Sequence, residues 1–174
     1  MESITRFITR KLRLKVNEAK SKVAKSRECT FLGYTIGSKG RLWISKKSKE
    51  RAKKRIKELT RRNRGRNLEK IIEELNKFLR GWLVYYRLAN GKNWCSETEQ
   101  WLRRKLRCYR LKQCKRRFGI AKFLMRNGCV EREAWKLAMS RKGWYRMALS
   151  PQASKAMGNA WFREKGLIPL VLPT

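Results

Sequence analysis

The chain is 174 residues long and carries 47 Lys and Arg against 13 acidic residues, a formal charge of +34 at pH 7. Every acid is Glu; Asp and His are absent. Such a chain repels itself unless a polyanion neutralises it, so nucleic acid is the expected partner; without His there is no imidazole base or Cys/His zinc finger, and without Asp no paired-Asp metal site of the polymerase kind.

A hydrophobic fraction of 41%, with seven Trp, six Phe and five Tyr, is too high for a disordered basic tail and supplies a packed core. No apolar run approaches ~18 residues, so no membrane span is expected. The basic segment 1–11 lacks the apolar stretch of a signal peptide. Five cysteines, Cys29, Cys95, Cys108, Cys114 and Cys129, never form C-x-x-C. They predict reduced thiols in a cytoplasmic protein, in bacterial cytoplasm or at the nucleoid, with no disulfide framework, metal or cofactor.

In chain order, Ile4, Phe7 and Ile8 predict an amphipathic helix over residues 1–11. Leu14 and Val16, then residues 29–36, read as strands, with apolar bulk from Phe31, Leu32, Tyr34 and Ile36. Gly37-Ser38-Lys39-Gly40 is a turn, and Leu42, Trp43 and Ile44 return as a short partner strand. A helix and a hairpin cannot bury both faces alone. Residues 1–44 therefore read as the edge of a larger sheet domain, and 45–174 as a helical domain. The expected fold class is mainly α: a helical bundle preceded by a short β-hairpin and a helix.

Residues 41–66 hold thirteen basic and two acidic residues. They predict a helix from Ser45 or Ser48, either a suitable N-cap, to about Arg62. Ala52, Ile56 and Leu59 make only a narrow apolar stripe. Lys46, Lys47, Lys53, Lys54, Arg61, Arg62, Arg64 and Arg66 are left as phosphate contacts with little Glu to pair them. Residues 67–100 are neutral and form the best core element. Leu68, Ile71, Ile72, Leu75, Phe78, Leu79, Trp82, Tyr85 and Tyr86 recur at three- and four-residue steps after a possible Asn67 cap. Gly81 within that helix marks a place where another backbone or a ligand can come close. Arg80, Tyr86 and Arg87 near its end are candidate RNA contacts, with Tyr85 and Tyr86 as candidate stacking platforms.

The second basic tract, 101–117, has nine basic residues and no acid. Ser96-Glu97-Thr98-Glu99 has the form of a capping box that would start its helix. Trp101, Leu102, Leu106 and Tyr109 would face inward. Arg103, Arg104, Arg107 and Arg110, then Lys112, Lys115, Arg116 and Arg117, would stay outside to contact RNA. Past it, residues 120–126 and 131–139 read as short helices broken at Asn127-Gly128. Ser150 before Pro151 caps a final helix to about Lys165, with Ala153, Met157, Ala160 and Trp161 inward. The apolar tail 167–172 should dock on the bundle.

Several of these blocks resemble one family. Lys15-Val16-Asn17, Lys20-Ser21-Lys22-Val23 and Phe31-Leu32-Gly33-Tyr34 are similar to the closing palm blocks of group II intron reverse transcriptases. Glu69 to Asn76, Leu79-Arg80-Gly81-Trp82, Tyr85-Tyr86, Trp101 to Arg107, and Gly143-Trp144-Tyr145-Arg146 resemble the thumb, or maturase-specific domain. The resemblance covers about residues 12–170. It departs at Leu111-Lys112-Gln113-Cys114-Lys115, where many members read W-K-Q-W-K. Proteins of this family bind the intron RNA that encodes them, help it fold for splicing, and copy it by target-primed reverse transcription. By resemblance, Phe31, Leu32, Gly33 and Tyr34 correspond to the primer-grip turn. The family's metal-binding Asp pair lies in an earlier palm block.

The resemblance implies an RNA-binding maturase fragment that is not itself an enzyme. Its partner would be group II intron RNA or another structured RNA, or an RNA/DNA template–primer duplex. Two alternatives stand beside it: the thumb part of a split reverse transcriptase that needs a separate fingers–palm chain, and a remnant that binds any polyanion.

Overall fold

The computed structural model describes residues 2–17, 21 and 23–172. It is 62% helical, with a small three-stranded antiparallel sheet before the main helices. Helix α1 (Glu2–Lys11) contributes no buried residue, and its apolar Ile4 and Phe7 are exposed. Leu14 and Val16, expected as strand, have no regular structure. Lys20 and Lys22 of the Lys20 to Val23 block lie outside the described residues.

The sheet is β1 (Thr30–Phe31), β2 (Tyr34–Ile36) and β3 (Leu42–Ile44), in that spatial order. The strand expected over 29–36 folds back on itself at Leu32-Gly33, so that Phe31 pairs with Tyr34. Both turn residues have positive φ, +49° and +80°, as a two-residue hairpin loop matched to strand twist requires. Gly33 is needed twice over: a Cβ there would lie 2.5 Å from the Tyr86 hydroxyl and 2.8 Å from Ser48 Oγ. Its carbonyl accepts hydrogen bonds from the Ser45 N–H (2.9 Å) and the Ser48 hydroxyl (3.2 Å). The sheet is thereby fastened to the start of the next helix.

Ser45 caps α2 (Lys46–Leu59) by accepting from the Ser48 N–H. The helix stops short of Arg62, because the Thr60 hydroxyl takes the Ile56 carbonyl at 2.7 Å and the chain turns away. Asn67 caps α3 (Leu68–Tyr85), accepting from the Lys70 N–H at 3.0 Å, and its three/four-spaced aliphatics are the core as expected.

Helix α4 (Lys92–Gln113) differs from expectation at its start. It begins at a turn on Gly91, not at the Ser96 capping box, and Ser96 lies in its second turn. Gly91 sits against Ile44 and Leu172, where a Cβ would come within 2.7 Å. The helix can start there because Trp94 and Cys95 then enter the core. Buried residues occur on several sides of α4, from Cys95, Leu102, Leu106 and Tyr109 to Cys108 and Leu111. It is the central helix, with α3 on one side and the C-terminal segments on another.

Those segments are α5 (Arg117–Arg126), α6 (Glu131–Ala138), α7 (Trp144–Met147), α8 (Pro151–Ala156) and α9 (Asn159–Glu164). The single helix expected after Ser150 is broken at Met157-Gly158: Ala153 and Met157 are buried as expected, while Ala160 is exposed, Trp161 half-buried, and Phe162 enters the core in their place. The tail docks through Leu167, Leu170 and Leu172. Asn76 of α3 holds it, donating to the Gly166 carbonyl (2.7 Å) and accepting from the Ile168 N–H (3.2 Å). Among the described residues no helix is long and apolar enough to cross a membrane.

Candidate nucleic-acid interface

The charged surface starts on α2. Only Ser48, Ala52, Ile56 and Leu59 of that helix are buried, so its remaining circumference is presented outward. Lys46, Lys47, Lys53 and Lys54 are exposed, and none is in an ion pair among the described residues. Arg51, Arg55 and Lys57 join them, though the sequence reading did not single them out. Of these only Arg55 is paired, with Glu58 at 3.3 Å.

The loop after α2 divides its arginines. Arg61 and Arg62 are exposed. Arg64 (2.7 Å) and Arg66 both pair with Glu74 on α3. The Arg66 carbonyl also accepts from the Tyr109 hydroxyl (2.6 Å) and the Gln113 amide (2.9 Å). Arg64 and Arg66 thus brace the loop, and Arg61 and Arg62 carry its free charge.

Arg80 on α3 and Arg87 just past its end are exposed, but Tyr86, which follows the helix, is only 6% accessible, which corrects its place as a stacking platform. Its ring packs against Tyr34 (5.2 Å between centroids), Trp82 (4.7 Å) and Tyr85 (4.8 Å). Tyr85 stays exposed while its hydroxyl donates to the Leu32 carbonyl at 2.8 Å. The Tyr34 hydroxyl donates to the Tyr85 carbonyl in return, and burial, then Tyr85 and Tyr86, push the Tyr34 phenol up from its usual range.

Between the hairpin, α2 and α3 lies an open groove of about 740 Å³, bordered by Leu32, Gly33, Arg51, Arg55, Gly81 and Tyr85 among others. Apart from its chain neighbours and its own helix backbone, no described protein atom lies within 4 Å of where a Cβ on Gly81 would be. The close approach expected at this glycine is therefore not made by another part of the described chain. Of the primer-grip-like residues, Leu32 and Gly33 line the groove; Phe31 and Leu32 are 71% and 66% exposed, and Gly33 and Tyr34 are half-buried.

The arginines of α4 need the largest correction. Arg103, Arg104, Arg107 and Arg110 are half-buried, not outward, because C-terminal segments cover that side of the helix. Arg103 pairs with Glu99. Arg104 lies 3.7 Å over the Tyr145 ring, and Arg110 lies 4.3 Å over Phe123. Arg107 donates to the Met157 carbonyl at 3.0 Å, and burial, then Arg103, lowers its guanidinium from the usual value. Lys112, Lys115, Arg116 and Arg117 at the end of the tract are exposed as expected.

The described cysteines are free thiols. Burial, as the leading cause, raises Cys108, Cys114 and Cys129, and takes Cys95 up to about 11. Protonated, enclosed thiols make poor nucleophiles and metal ligands. Among the described residues no group of three or more metal-ligating side chains comes together. The arrangement offers charge, shape and aromatic surface.

Residues 49–128 match the family described as the group II intron, maturase-specific domain. The match runs from early α2 to just past α5, and so takes in the exposed helix, the groove helix and the central helix. No curated protein sequence matches the chain.

Proposed function

We propose that this chain, which carries a group II intron maturase-specific domain at residues 49–128, binds group II intron RNA and assists its folding and splicing without being an enzyme itself. One observation carries the reading: the outer face of α2 presents Lys46, Lys47, Lys53 and Lys54 with no acidic partner among the described residues. A rigid helix bearing uncompensated ammonium groups suits RNA helices, whose phosphates and 2′-hydroxyls are accessible while the deep major groove is not. Binding energy would stabilise the splicing-active RNA fold, and the RNA would perform the chemistry.

Equilibrium binding to folded group II intron RNA, with unrelated structured RNA as competitor at near-physiological salt, tests this. A preference of ~100-fold, about 2.7 kcal/mol, is expected. Equal affinity for both RNAs would reject intron recognition and leave a general polyanion binder.

The groove beside the hairpin supports a second reading, in which this chain is the thumb part of a split reverse transcriptase. Its apolar floor, with Arg51 and Arg55 on one wall and Leu32-Gly33 of the hairpin turn beside it, could accept the end of a template–primer duplex. Restoration of polymerase activity on mixing with a fingers–palm chain is the expected result for that role. A mixture as inactive as its parts would count against it.

A further inference from the structure

Arg55 and Lys57 are two residues apart on α2 and so point to opposite sides of the helix. Arg55 lines the groove beside the hairpin, whereas Lys57 lines a second cavity of about 570 Å³ on the far side. This second cavity is closed by the loop after α2, by α4 and by the start of α7, with Arg61, Arg62, Trp101, Lys105 and Tyr145 in its walls. Its volume is in the range of small-molecule sites, roughly 300–1,000 Å³.

The wall chemistry is unusual. Lys57, Arg61, Arg62 and Lys105 all line the cavity, and no acidic residue does. None of the four is in an ion pair among the described residues. Lys105 lies near both rings: its Nζ is 5.4 Å from the Trp101 ring centroid and 5.9 Å from that of Tyr145. Burial, then repulsion from Lys57 and to a smaller extent Arg62, lowers this ammonium from its usual value. A chance crevice between packed helices would let such cations spread into solvent. Here one is held among two aromatic rings and other cations, which an anion would relieve.

The rings add a second recognition element. Arg104, which is not part of the cavity wall, lies 3.7 Å over Tyr145 and donates to that residue's carbonyl at 3.3 Å, fixing its position. Tyr145 nevertheless keeps 39% of its surface exposed, and Trp101 is half-buried. Lys46, Lys53 and Lys57 are spaced seven and four residues apart and share one side of α2. A backbone tracking that side is delivered to the cavity mouth.

We propose that this cavity binds a single unpaired nucleotide of RNA, its phosphate held by Lys57, Arg61, Arg62 and Lys105 and its base stacked on Tyr145 or Trp101. A duplex cannot fill the site in this way, because its base faces are already stacked on each other; an aromatic platform with a cationic rim takes single strands. The proposal rests on RNA binding by this chain and adds to it where, and in what state, one nucleotide is read.

The test uses a ten-nucleotide single-stranded RNA and the blunt duplex of the same sequence, titrated by fluorescence anisotropy at fixed salt. The expected result for Tyr145→Leu is a roughly tenfold weaker single-strand affinity with duplex affinity and melting temperature unchanged. A 4-thiouridine version of the single strand, irradiated on the unaltered chain, should crosslink to the peptide bearing Trp101 or the one bearing Tyr145. That arm decides the matter even where the substitution lowers stability. Equal losses for single strand and duplex, or crosslinks confined to other peptides, overturn the nucleotide site while RNA binding stands. Absence of binding to either probe and to folded intron RNA overturns both readings together.

Discussion

Helices α2 and α4 are both rich in Lys and Arg, and the fold uses them in opposite ways. In α2 the buried stripe is narrow, Ser48, Ala52, Ile56 and Leu59, and the cations around it stay in water. In α4 core residues occur on several sides, and the arginines between them are drawn against Glu99, Tyr145, Met157 and Phe123. An arginine can make that change because its guanidinium stacks on rings and donates to carbonyls while its stem is buried. The contrast teaches that basic composition marks charge available to a partner only where packing leaves it outside.

The strongest way to break this contrast is to remove the packing of α4. Leu102 is fully buried, and Leu102→Ala should destabilise the chain by about 2–5 kcal/mol, read from denaturant midpoints at constant m-value. A loss below 0.5 kcal/mol would remove α4 from the centre of the core.

Next in size is loss of charge on α2. With Lys46, Lys53 and Lys54 all changed to Ser, RNA affinity should fall by roughly a hundredfold at moderate salt, with a shallower dependence of log affinity on log salt. The melting temperature should hold, since all three side chains are exposed. An unaltered salt slope would place the RNA elsewhere.

Arg107→Met sharpens the comparison from the α4 side. It leaves the Met157 carbonyl without its charged donor, at a cost of about 1.5–3 kcal/mol, and should barely alter the salt slope. Should the slope flatten while stability is kept, Arg107 would belong with the α2 lysines.

The smallest effect concerns pH. The folded-state pKa of Cys95 is raised to about 11 by burial, above its unfolded value of about 8.5. Its contribution to stability is therefore complete below the unfolded pKa and is lost as pH rises toward 11. Cys95→Ala should show a flatter stability profile between pH 8 and 10.5 than the parent chain in chemical denaturation. Parallel profiles would mean that the buried thiol does not couple to folding.

Much of the fold was legible in residue order. Asn67, Ser45 and Ser150 all cap the helices that follow them, since a cap is a local exchange between one side chain and a nearby N–H. The aliphatics of α3 and the apolar tail were equally plain. The Ser96 box failed because Trp94 and Cys95 gain burial by extending α4 backward. The helix after Ser150 failed at Met157-Gly158, where the chain bends so that Phe162 can enter the core. Of the candidate contacts, those on α2 and at 112–117 are exposed, while Tyr86 is buried and the α4 arginines from 103 to 110 are half-buried. Lys57, Lys105 and Tyr145, far apart in the chain, give no joint signal until three elements close one cavity around them.

By itself the sequence determined a large positive charge, the lack of His and Asp, a helical bundle after a hairpin, and the maturase resemblance. These are properties of composition, of local capping and of a period along one helix. Which cations remain free, which tyrosine stays accessible and where two rings meet a cluster of ammonium and guanidinium groups were decided only in three dimensions. The physical reason is that exposure of a side chain depends on what covers it, and the cover for Arg104 and Arg107 of α4 comes from residues 41 and 50 positions further along the chain.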